Sequence, residues 1–332
     1  MDNPKVLVLI PTYNRLNFFK VAFESVLNQT YKNLKIIISD DSTNEDTANF
    51  IKPYLEKFPN ITYFRNPGFN ADDNWNFLRQ QQINDTECEF VNWIMDDDVW
   101  LPKKIEIMVN LFLNHPSVSL VTSARHMIDS EGKIIRTLSR GNQITKIPGN
   151  NAGKSIFIAD NYIGEPTTAL IRKSCLRNGD ICFTDEEKGF NSLVDVSTWL
   201  SVLSRGDLII YPEPLSALRV HNIRGSAIPD VPIMWQIDYC RLLWESWSKK
   251  IFLKTEDDLR EAILAWFIRA SNIMLKAHRE KHKSAVLSEL EIVFAETAKA
   301  LSNNYEMNYN FKSQRVSFEI VVDRKSTRLN SS

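Results

Sequence analysis

Glycine is scarce in this chain, with 10 in 332 residues. The first apolar run is followed by Pro11-Thr12-Tyr13-Asn14, not by G-x-G-x-x-G, and no G-x-x-x-x-G-K-[ST] occurs anywhere. Both glycine-rich cradles that bring backbone N–H groups against a phosphate are therefore excluded, and with them the dinucleotide and P-loop classes. Charge of one sign is also missing. Lys and Arg total 40 against 41 Asp and Glu, a net charge of -1, so no basic field points to nucleic acid. The four cysteines, Cys88, Cys175, Cys182 and Cys240, form no C-x-x-C pair and no zinc spacing. They read as free thiols of a reducing compartment. No apolar run approaches the roughly 20 residues of a membrane span, and the chain enters a strand too early for a signal peptide, so a cytoplasmic protein is expected. What remains is ordinary for a globular protein, 43% apolar and 24% charged, with length for ample core. The polar, aperiodic stretch 323–332 is read as a disordered or vector-derived tail.

The first hundred residues alternate between two periods. Val6-Leu7-Val8-Leu9-Ile10 is continuously apolar, the pattern of a strand buried on both faces. A helix follows, with Phe19, Ala22, Phe23, Val26 and Leu27 on one side. Leu34 to Ser39 is a second buried strand. It is followed by a helix burying Ile51, Tyr54, Leu55 and Phe58, a short strand Ile61 to Phe64, and a helix over Asn74 to Gln81. Phe90 to Met95 is another strand, and Ile105, Met108, Val109 and Phe112 mark the next helix. This alternation predicts an α/β fold: a mostly parallel central sheet with helices on both faces.

Ligands of such sheets bind beyond the carboxyl ends of the strands. Three of those ends carry unusual polar residues: Tyr13-Asn14, Asp40-Asp41 and Asp96-Asp97-Asp98. Three adjacent carboxylates after a buried strand repel one another, and a divalent cation would relieve that cost. Oxygen ligands suit Mg²⁺ or Mn²⁺, with substrate phosphates completing the shell. The alternative is a solvated turn whose Asp residues cap the following helix. Tyr13 offers a face for stacking a base and Asp41 an acceptor for a ring N–H, or else they pack a loop and cap a helix.

Taken together, these residues resemble glycosyltransferase family 2, the inverting nucleotide-sugar transferases of GT-A fold. The resemblance runs through Val8 to Arg15, Ser25-Val26-Leu27-Asn28-Gln29-Thr30-Tyr31, Ile36 to Thr43, Asn66-x-Gly68 with Asn74, and Asp96 to Pro102. A weaker match continues through Gly164-Glu165-Pro166, Val194-Asp195 and Tyr211 to His221. It implies that Pro11, Thr12, Tyr13, Asn14, Arg15, Asp41, Asn66, Asn74 and Asp96 hold the nucleotide sugar. Asp97, Asp98 and His221 are implied at Mn²⁺ or Mg²⁺, and Asp195 as the base that deprotonates the acceptor hydroxyl. Three positions depart from the family pattern. Met95 stands at the first Asp of the metal motif, leaving open which of Asp96 to Asp98 ligates metal; Asp73 stands where an Arg is frequent, and Val194 where a Glu is common.

The implied activity is transfer of a sugar, with a lean to a UDP-linked donor, onto a glycan or lipid-linked acceptor in surface polysaccharide assembly. A nucleotidyltransferase would need a glycine-rich, lysine-containing loop after the first strand, and that loop is absent. The rival from another class is a catalytically silent member that binds nucleotide sugars or glycans. The catalytic domain is expected over 1–228 and a helical C-terminal appendage over 229–322. Its basic stretch from Lys276 to Lys283 reads either as a solvated junction between helices or as a peripheral contact with an anionic membrane.

Overall fold

The computed structural model describes residues 3–176, 193–221 and 228–303, together with Tyr305, Met307 and Phe311. Cys182 and the tail 323–332 lie outside the described residues. The elements are β1 (Val6–Thr12), α1 (Leu16–Leu27), β2 (Leu34–Asp40), α2 (Asp46–Lys57), β3 (Ile61–Arg65) and α3 (Ala71–Asn84). There follow β4 (Phe90–Trp93), β5 (Val99–Trp100), α4 (Lys104–Asn114), β6 (Val118–Ile128), β7 (Ile134–Leu138), β8 (Thr145–Ile147) and α5 (Gly149–Ala159). The last are β9 (Leu170–Arg172), α6 (Val194–Leu203), β10 (Asp207–Arg219), α7 (Asp230–Lys249), α8 (Glu256–Arg279) and α9 (Ala285–Ser302).

One ten-stranded sheet runs β3-β2-β1-β4-β9-β6-β10-β5, with β7 on β6 and β8 on β10. The first four strands pair in parallel, as their apolar runs predict. Beyond β4 the sheet is mixed: β9 pairs antiparallel to both β4 and β6, whereas β10 is parallel to β6. Strands as short as β5, β8 and β9 show too few residues for a period to be read from sequence. The fold is the GT-A arrangement expected from the resemblance.

Side chains of β1 alternate between two cores. Val6, Val8 and Ile10 join Phe19, Phe23, Ile51 and Phe112 beneath α1, α2 and α4. Leu7 and Leu9 face the opposite core with Leu78, Ile156, Leu200, Leu242 and Trp266. That second core crosses residue 229 without a break, so the C-terminal helices pack as part of the main body. At the seam, Phe252 is 1% exposed, and its ring fills the space beside Gly153 of α5. Lys154 pairs with Asp258 at 2.6 Å. The Lys276–Lys283 stretch ends α8 and turns toward α9, where His278 meets Glu291 at 2.9 Å and His282 meets Asp230 at 2.6 Å. Among the described residues, no helix is long and apolar enough to cross a membrane.

Candidate active site

Because β2, β1 and β4 are parallel neighbours, the loops that follow them leave the same sheet edge. Thr12 lies in register with Asp40 there. The chain beyond β4 turns under this edge and buries Asp96, which is 1% exposed. One Asp96 oxygen accepts from the Thr12 hydroxyl at 3.0 Å and the Tyr13 N–H at 3.4 Å. The Arg15 guanidinium, just ahead of α1, donates to the other at 2.6 Å and to Asp97 at 3.0 Å. Burial raises the pKa of Asp96, Arg15 works against that rise, and Asp97 adds to it.

Asp97 is the partly open member of the triplet. Its Oδ2 lies 2.8 Å from Nε2 of His221, which follows β10. Asp98 is turned inward: Oδ2 accepts from the Thr167 hydroxyl at 2.5 Å and Oδ1 from the Arg219 N–H at 3.0 Å. Burial first, then Asp97, pushes its carboxyl well above the usual range. The Arg219 guanidinium donates to the carbonyls of Asp97 (2.8 Å), Asp129 (2.9 Å) and Ser130 (3.1 Å), and sits 4.9 Å from the centre of the Phe18 ring. The Phe18 ring in turn lies 5.1 Å from His221. Among the described residues, no cluster of three His, Cys, Asp or Glu side chains could hold a metal ion unaided. Asp97 and His221 are donor types that could join a divalent cation whose remaining ligands come from a diphosphate and water, with Asp97 Oδ2 now shared by Arg15 and His221. With both oxygens held by protein donors, Asp98 braces the loop.

Next to this cluster, Asp41 is 4% exposed and its carboxyl is pushed up to about 7, by burial first and then by Asp40 and Asp96. Asn74, buried on α3, donates to Asp41 at 2.6 Å and to the Ser39 carbonyl at 3.2 Å. Asn66 donates to the Ser39 hydroxyl at 2.9 Å. Asn14 takes a left-handed φ of 50°, and its N–H donates to the Ser42 hydroxyl at 2.8 Å. Pro11, the penultimate residue of β1, lies opposite Ser39, and Tyr13 is half-buried above the edge. Asp73 supplies a helix cap: it and Asn70 form a reciprocal capping box at the start of α3.

Asp195 stands in the first turn of α6, half-buried. Its Oδ2 accepts from the Asn161 amide at 3.2 Å and its Oδ1 from the Val196 N–H at 2.8 Å. Its carboxyl is pushed up to about 7, chiefly by burial, with Glu165 and Asp160 adding negative charge. Glu165 also raises Asp98, so it lies within electrostatic reach of both carboxyls. Arg125 holds Glu165 at 2.7 Å. Neighbouring Val194 points outward, 42% exposed.

A family model for glycosyl transferase family 2 matches residues 7–178, more than half of the chain. The chain belongs to glycosyl transferase family 2.

Curated relatives in this family include the GalNAc(5)-diNAcBac-PP-undecaprenol β-1,3-glucosyltransferase of Campylobacter jejuni, 27% identical over 220 residues. That match covers 66% of this chain and 65% of the relative. An uncharacterized glycosyltransferase of Rickettsia typhi is 25% identical over 253 residues, covering 75% of this chain and 73% of its own. One from Rickettsia bellii is 26% identical over 225 residues, which is 67% of this chain but 30% of that longer protein. Among solved structures, S. aureus TarS 1-349 in complex with UDP-GlcNAc superposes with a TM-score of 0.53 at 14% identity. It covers 95% of this chain and 99% of that one, a likeness of fold.

Sequence reasoning on this family 2 site passed over several supporting residues. Thr167 and Arg219 hold Asp98, Asn161 holds Asp195, and the Arg125–Glu165 pair lies near both carboxyls. Two of them sit in quoted stretches, Gly164-Glu165-Pro166 and Arg219-Val220-His221, yet their partners are remote in sequence. Asn161 carries no sequence signal.

Proposed function

We propose that this glycosyltransferase inverts the anomeric centre of a nucleoside-diphosphate sugar, UDP-linked by preference, onto a hydroxyl of a glycan or lipid-linked acceptor. The carrying observation is the arrangement at one sheet edge of Arg15, Asp96, Asp97 and His221, with the charge of Glu165 felt by both Asp98 and Asp195. Asp41 accepts an N–H of the base, Tyr13 stacks on it, and the Asn74 amide keeps the Asp41 carboxylate oriented. Asp97 and His221 would hold Mn²⁺ or Mg²⁺, which supplies Lewis-acid neutralisation of the departing diphosphate. Arg15 adds positive charge at the same edge. Asp195 accepts the acceptor hydroxyl's proton as that oxygen bonds to the sugar carbon. The carbon–oxygen bond to the diphosphate breaks, and its electron pair leaves with the phosphate oxygen.

The acceptor named for the C. jejuni relative, a glycan on undecaprenyl diphosphate, supports a lipid-linked acceptor and a place in surface polysaccharide assembly. The free thiols Cys88 and Cys240 support work in the cytoplasm. The test is a thermal-shift screen of UDP-, GDP- and dTDP-sugars with MnCl₂ and with EDTA, since a ligand bound by the native state raises Tm. Stabilisation by UDP-sugars that needs Mn²⁺, is lost in Asp97→Ala, and accompanies UDP release is expected. Equal stabilisation in EDTA would refute the metal assignment, and binding without any turnover would favour the silent binding module.

A further inference from the structure

Two residues in the loop between α5 and β9 adopt backbone conformations that ordinary side chains avoid. Gly164 has φ +110°, and a Cβ there would meet the Arg125 guanidinium at 2.8 Å. Asp160 has φ 76° and ψ 179°, a region otherwise nearly confined to glycine. Such strain persists only where surrounding contacts over-determine the backbone. At Asp160 those contacts come from the C-terminal helices. The Tyr239 hydroxyl of α7 donates to Asp160 Oδ1 at 2.6 Å. Arg269 of α8 donates to the carbonyls of Phe157 at 2.8 Å and Ile158 at 3.3 Å, the last turn of α5. The same guanidinium lies 5.2 Å from the centre of the Tyr239 ring, so the two helices grip one point together.

The residue after Asp160 is Asn161. Its Oδ1 accepts from the N–H groups of Ile163 and Gly164, both at 3.2 Å, and its Nδ2 donates to Asp195 at 3.2 Å. Trp199, one turn beyond Asp195, donates its indole N–H to the Gly164 carbonyl at 3.1 Å. The strained turn is thus tied to α6 at two points and to α7 at one, while α8 holds the last turn of α5 that leads into it.

We propose that Tyr239 and Arg269 are positioning residues for Asp195: the C-terminal helices hold the 160–164 turn in its strained form so that Asn161 aims the Asp195 carboxylate. This rests on the reading of Asp195 as the base. It gives the C-terminal helices a part in turnover beyond adding core. A glycine at 160 would adopt the same φ without cost, but it would lack the carboxylate to which the Tyr239 hydroxyl donates.

Two measurements on the full chain test this. Hydrogen–deuterium exchange of the 157–166 region needs no knowledge of the donor: Tyr239→Phe and Asp160→Gly should each exchange faster there, with α1 to α4 unchanged. Turnover is read as UDP release from UDP-glucose and UDP-GlcNAc and GDP release from GDP-mannose, each with MnCl₂. Both variants should lose on the order of tenfold to a hundredfold in kcat, the scale of a misplaced group, with donor KM unchanged and the kcat–pH profile displaced. Asp160→Gly should keep its Tm, because the strain is relieved. Wild-type exchange at 157–166 in Tyr239→Phe overturns the proposal. So does loosened exchange with wild-type kcat and pH profile while Asp195→Asn is inactive. Should Asp195→Asn itself retain full turnover, the base assignment fails, and exchange alone then decides whether the clamp exists.

Discussion

Replacing Asp195 by Asn should move activity and stability in opposite directions. The amide keeps the shape of the carboxyl but cannot take a proton, so the general-base contribution of ~10²–10⁴ in rate is lost. At 1.36 kcal/mol per tenfold, that is about 3–5 kcal/mol of transition-state stabilisation. The proposed donor contacts, Asp41, Arg15 and Asp97, are untouched by the substitution, so donor binding should be unchanged. The wild-type carboxyl, half-buried beside Glu165 and Asp160 with Tyr239 close by, is pushed up to about 7. Wild-type kcat should therefore fall about tenfold per pH unit below that value, and Asp195→Asn should lose this limb.

The stability effect follows from the same shift. An unfolded Asp releases its proton near pH 4, whereas the folded one keeps it to about 7. Between those values the native state binds more protons. The stabilisation this gives is complete below about pH 4 and is lost as pH rises through about 7. A neutral amide escapes that loss, so Asp195→Asn should be more stable than wild type at pH 8, by at most a few kcal/mol. Urea titrations at pH 5 and pH 8, with steady-state UDP release and calorimetric donor binding, test every part. Near-wild-type turnover, or a variant whose loss of stability between pH 5 and pH 8 equals that of wild type, would refute the reasoning.

Lys104 is fully buried against the Thr168 carbonyl (2.9 Å) and the Met108 sulfur (3.1 Å), and burial lowers its pKa well below the ordinary lysine value. Its contribution is present above about pH 10.5 and lost as pH falls, so wild-type stability should climb from neutral pH toward 10, and Lys104→Met should flatten that slope in urea titrations; equal slopes would show that the ammonium finds solvent or an anion. Gly153→Ala would put a Cβ 2.2 Å from the Phe252 ring, and a buried ring wedged against α5 cannot yield freely. A loss of about 1–3 kcal/mol is expected by chemical denaturation, and an unchanged or higher Tm would mean that the seam between α5 and the C-terminal helices is loose.

Much of this protein is written in local pattern. Continuous apolar runs set β1, β2 and β4, amphipathic periods set the helices, and the polar residues just past the strands put Tyr13, Asp41 and Asp97 at one sheet edge. Those signals survive in one dimension because strand burial and strand ends are properties of short segments. The three Asp residues look alike in sequence, however, and only packing separates them: Asp96 faces Thr12 and Arg15, Asp97 opens toward His221, and Asp98 turns to Thr167 and Arg219. Their partners lie up to 124 residues away. The burial of Lys104 and the grip of Tyr239 on Asp160 are likewise set by pairs that no spacing rule connects. The sequence alone determined where the four parallel strands would form and which polar residues would follow them. The tertiary structure decided each carboxyl's burial and aim, because desolvation and hydrogen-bond geometry depend on neighbours that only folding brings near.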